Sequence, residues 1–79
     1  MTLDAFESGK TARIRAVDWS ALAGDEGKRL RALGIDEGET VSILNRGIFG
    51  GRDPMAIRLG QMTIALRRVH ARAIEVEPL

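Results

Sequence analysis

Few residues in this chain could do covalent chemistry, and the neighbours of each decide what it is worth. Gly9-Lys10-Thr11 has the ending of a phosphate-binding loop. The full loop needs another glycine five residues earlier, where this chain has Asp4, and it must open a helix so that its amides cradle phosphate. Here the segment runs into an alternating stretch, so a turn entering a strand is expected. His70 is the single imidazole. As a general base it would need an acid to orient it, and the spacing singles none out. It is expected on the surface of a short helical turn, with Glu75 and Glu77 the acids nearest for a weak metal contact. Asp36, Glu37 and Glu39 are hard oxygen donors of the kind that meet Mg²⁺ or Fe²⁺. They lack calcium-loop spacing and fit a solvated turn better. Ser8, Ser20 and Ser42 have no nucleophile-elbow context. The expectation is a protein with no catalytic residues, no cofactor and no metal site of its own.

What remains is recognition chemistry. Arg13, Arg15, Arg58 and Arg67 are expected on the outer faces of strands, as a solvated exterior or as a docking face for an acidic partner. The segment from Asn45 to Pro54 links two strands, is rich in glycine and carries Ile48 and Phe49 near its crest. A loop that only reverses the chain needs about two to five residues and no apolar tip. Arg46, Ile48, Phe49, Gly50, Gly51 and Arg52 are therefore the candidate partner-binding residues. The alternative is that Phe49 folds back over one end of the domain.

The elements that must position these residues read as strands. Ala12, Ile14 and Ala16 alternate with Arg13 and Arg15, the period of a half-buried strand. Val41 and Ile43 repeat the pattern between Glu39 and Asn45. Met55, Ile57 and Leu59 do so next, then Met62, Ile64 and Leu66, and finally Ile74 and Val76 before Pro78. Gly60-Gln61 separates two of these strands by a hairpin-length turn, and Asp36-Glu37-Gly38 makes another turn. One segment is helical. Asp25 is expected to cap a helix running through Lys28 to Leu33, with Leu30 and Leu33 facing the core. Gly34 then stands at the left-handed stop and Ile35 packs back on Leu30. Five strands and one or two helical turns predict a small barrel, closed or partly open.

Composition bounds the reading. Seventy-nine residues suit one domain, and a 44% hydrophobic share suits a packed core. Without cysteine there is neither a disulfide nor a thiolate metal site. No run approaches the roughly 20 apolar residues of a spanning helix. The first residues carry acids where a signal peptide needs a basic start, so a cytoplasmic protein is expected. Twelve basic against eleven acidic side chains give a net charge of +1. That balance, with three aromatic residues (Phe6, Trp19 and Phe49), argues against nucleic-acid binding.

Taken in order, Arg29-Leu30-Arg31-Ala32-Leu33-Gly34-Ile35-Asp36-Glu37-Gly38 leading to Val41, then Phe49-Gly50-Gly51 to Pro54, Ile64-Ala65-Leu66-Arg67, and Ala71, Ile74 and Val76 resemble the ferrous iron transport protein A (FeoA) family. The likeness runs from Leu3 to Val76. It departs from the family pattern at Ile48, where proline is frequent, at the extra pair Arg52-Asp53, and between Asp18 and Gly27, around Trp19. The resemblance implies that residues 1–79 form a single FeoA-type SH3-like β-barrel. It also implies a cytosolic accessory protein of bacterial ferrous iron uptake whose partner is the FeoB transporter, through its G-domain or permease. Contact with the membrane would come only through that partner. Similar domains end some metal-dependent repressors, but those carry a helix-turn-helix upstream. Three alternatives stay open: a nucleic-acid-binding barrel using the outward arginines, a weak Fe²⁺ sensor or carrier using His70, and a homo-oligomer formed through Phe49.

Overall fold

The alternating stretches form five strands, in a computed structural model that describes residues 1–22, 24–45 and 53–79. They are β1 (Thr11–Val17), β2 (Thr40–Asn45), β3 (Met55–Leu59), β4 (Met62–Leu66) and β5 (Ile74–Pro78). All pair antiparallel in one sheet, in the order β4-β3-β2-β1-β5. No ladder joins β4 to β5 among the described residues, so the small barrel is open. The outer edge of β5 is partly covered, because the Met1 carbonyl accepts the Val76 N–H at 2.8 Å and Thr2 bridges to Glu75. Such cover blunts an edge that would otherwise offer free backbone groups.

Period-two burial holds where the ladders are regular. Ala12, Ile14, Val41, Ile43, Met55, Ile57, Leu59, Ile64, Leu66, Ile74 and Val76 all face the core. It breaks at the end of β2, where the β2–β3 register slips between Ile43 and Asn45, and at two positions expected inward. The β1–β5 register slips between Ile14 and Ala16, so Arg15 is a bulge and Ala16 turns outward instead of inward. A bulge inserts one unpaired residue and thereby inverts the alternation beyond it. Met62, expected inward, sits at the hairpin end of β4 and is 44% exposed. The hairpin itself follows the sequence: Leu59 pairs with Met62 across Gly60-Gln61.

Helix α1 (Gly24–Leu33) begins one residue before Asp25, which places that carboxylate in the first turn and not at the cap. There it still faces the positive end of the helix dipole. The stop is as expected. Gly34 has φ +107°, its N–H donates to Arg31, and the Ile35 N–H donates back to Leu30 at 3.0 Å. Those two bonds are the Schellman pattern, and the Leu30 and Ile35 side chains that close it are fully buried. Leu33 is half-buried against the core. The Asp36–Gly38 turn is then latched to β1, Gly38 N–H to Ile14 O and Ile14 N–H to Glu39 O, both 2.8 Å. A short helix α2 (Arg68–Ala71) joins β4 to β5, and 3-10 turns occupy Leu3–Ala5 and Trp19–Ala21. No helix of the described residues is long and apolar enough to cross a membrane.

Candidate functional site

Helix α1 carries polar contacts on two of its sides. On one side Glu26 receives both arms of Arg29, three residues on, with Nε at 2.6 Å and a terminal nitrogen at 3.2 Å. The same carboxylate lies 2.9 Å from His70 Nδ1 on α2, though not in hydrogen-bonding alignment. Glu26 is therefore the point at which the two helices meet. The bond from Arg29 and the positive charges of Arg29, His70 and Arg67 hold its carboxyl below the usual carboxylate range, against the opposing effect of burial. Arg29 is pushed up by the same bond.

This arrangement corrects the surface placement of His70. Its side chain is only 17% exposed, and its acid is Glu26, not Glu75 or Glu77. Glu75 instead meets the N-terminal ammonium at 3.3 Å. Nothing in spacing could mark residues 26 and 70 as neighbours, since only the packing of α2 beside α1 brings them together. Among the described residues no group of three or more histidine, cysteine, aspartate or glutamate side chains could hold a metal ion. A carboxylate already committed to a guanidinium fork serves to hold its helix.

The other sequence candidates fall as follows. Gly9 makes a turn and Thr11 opens β1, so the Gly-Lys-Thr segment is structural, and Lys10 pairs with Glu7 at 3.0 Å. Asp36 accepts the N–H of Glu37 at 2.8 Å, within its own turn. Arg13 and Arg58 are exposed on the sheet and Arg15 at its bulge. Arg67 is not on a strand: it is the residue preceding α2. Asp53, counted as an insertion, has a use, since its Oδ1 accepts the Arg68 N–H at 2.6 Å and ties the start of β3 to α2. The proposed contact residues Arg46, Ile48, Phe49, Gly50, Gly51 and Arg52 lie outside the described residues.

On its other side α1 carries a feature that the sequence did not place. Trp19, half-buried against the core, has the Arg31 guanidinium 4.2 Å from its ring centroid. Together with Gly27 and Lys28 these residues line a groove of about 210 Å³. An aromatic beside basic helix positions was the one available signal, and it could not say which helix face the ring would meet.

A five-stranded antiparallel sheet with one core and short connecting helices defines a small SH3-like β domain. A family model for the FeoA domain matches residues 1–78, and the chain belongs to that family. It is similar to iron(II) transport protein A from Clostridium thermocellum, at 30% identity and a TM-score of 0.82, over 100% of this chain but only 46% of that one. It is likewise similar to Stenotrophomonas maltophilia FeoA solved in complex with zinc, at 30% identity, a TM-score of 0.77, and 98% and 89% coverage of the two chains. That protein is described as a procaryotic SH3-domain protein and a suggested ferrous iron transport activating factor. FeoA protein from Chlorobium tepidum matches at 28% identity and a TM-score of 0.84, over 100% of this chain and 70% of that one. No curated protein matches the chain.

Proposed function

We propose that this chain is an accessory protein of bacterial ferrous iron uptake, acting in the cytoplasm by binding a FeoB-type transporter. The observation that carries the reading is the FeoA family match over residues 1–78. It is supported by solved relatives described as an iron(II) transport protein and as a transport activating factor. The chemistry agrees with action by binding: Glu26 is held by the Arg29 fork, and the sequence gives the serines no activating context. An adaptor of this kind changes a transporter only by binding one of its states more tightly than another. The proposed contact segment is residues 46–52, on the sequence argument that Ile48 and Phe49 are apolar side chains in a glycine-rich connection.

The test is retention of the detergent-solubilised transporter on the immobilised chain. Wild-type protein is expected to retain it. The pair Ile48→Ser and Phe49→Ser, with its fold checked by circular dichroism, is expected to lose about tenfold or more in affinity, as removal of central apolar anchors does. Equal retention by the variant would remove the loop from the account. No retention by the wild type would remove the partner.

A further inference from the structure

None of the residues lining the groove between the Trp19 turn and α1 belongs to the contact segment proposed above, and the chemistry of the groove points to a ligand of its own. Lys28 and Arg31 stand one helical turn apart on the same face, both exposed. Neither has a carboxylate partner among the described residues, whereas Lys10, Arg29 and Arg72 pair with Glu7, Glu26 and Asp4. The exposed strand arginines differ from these two, because here an aromatic ring lies with the cations. Arg31 stacks on Trp19 at 4.2 Å. A stacked guanidinium keeps its in-plane N–H edge for a carboxylate, with its orientation already set by the ring.

Gly27 supplies the floor. An added Cβ there would stand 3.0 Å from the Leu22 carbonyl, a contact so tight that the backbone after the 3-10 turn would have to give by a few tenths of an ångström. The result is an apolar strip of indole and helix backbone bordered by two unpaired positive charges. We infer that this groove binds an acidic peptide segment of a partner protein, with carboxylates meeting Arg31 and Lys28 and an apolar side chain packed beside the indole that Arg31 covers. Nucleic acid fits less well, because a lone indole offers no stacking row and the whole chain carries only +1.

Trp19 is the sole tryptophan of the chain, so its emission reports on the groove directly. The experiment titrates the full chain with a short synthetic peptide in which glutamates flank a Leu-Phe pair. The same peptide with lysines for glutamates, and a single-stranded oligonucleotide, are run alongside. Saturable change in emission is expected with the acidic peptide alone, weakening as salt is raised. Lys28→Glu with Arg31→Glu is expected to weaken binding about tenfold or more, while Arg58→Glu on the sheet changes it less than about twofold. Thermal melts check that the variants fold, and Trp19→Phe with a labelled peptide followed by anisotropy gives a second reading, expected weaker than wild type. No response to the acidic peptide, equal binding by the charge-reversed pair, or tighter binding of the oligonucleotide would each overturn the inference. None of these results depends on the transporter, so failure here leaves the docking proposal standing.

Discussion

Glu26 is the residue on which the two helices converge, and its behaviour with pH follows from its partners. Its carboxyl is held low by the Arg29 hydrogen bond first, then by the surrounding positive charges. A carboxylate that titrates lower folded than unfolded stabilises the fold above the usual carboxylate range. That contribution is lost as pH falls through the lowered value. Glu26→Gln is therefore expected to cost about 0.5 kcal/mol near neutral pH, the scale of a partly exposed ion pair. In strong acid the cost vanishes, so the urea midpoints of variant and wild type converge on acidification. A difference that stayed constant with pH would mean that Glu26 acts through packing and not through charge.

At the scale of elements, the end of α1 is the most legible feature and the most exposed to a single change. Gly34 occupies φ +107°, where a Cβ is strained whatever the space around it. The nearest atom to such a Cβ, Leu59 Cδ2, would be at an ordinary 3.6 Å, so the penalty is one of backbone and not of clash. Gly34→Ala is expected to destabilise by about 1–2 kcal/mol in urea unfolding. A loss well below that would show that the helix stop relaxes into another conformation. The Schellman stop could be read from Leu30, Leu33, Gly34 and Ile35 because its signals are local. The strands were legible for the same reason, since alternation is a property of consecutive residues. The bulge at Arg15 was not, because it is set by how β1 meets β5, and it turned Ala16 outward. The helix start was misread by two residues at Asp25, since acids favour both the cap and the first turn.

For the molecule as a whole, family membership and sheet architecture agree with what the sequence implied, while the polar pairings did not show in it. Glu26 with His70 and Trp19 with Arg31 each join segments that only the folded chain brings together. The loop candidates rest on composition alone, and the groove on α1 rests on geometry alone. Binding to a transporter is the claim that unites the account. It is tested most directly by titrating isotope-labelled protein with the transporter's cytosolic G-domain, in its nucleotide-free, GDP-bound and GTP-analogue-bound forms, and following amide shifts. The account predicts saturable shifts at residues 46–52 and their neighbours, larger with one nucleotide state than with the others. Spectra unchanged by all three forms and by the detergent-solubilised transporter would contradict it.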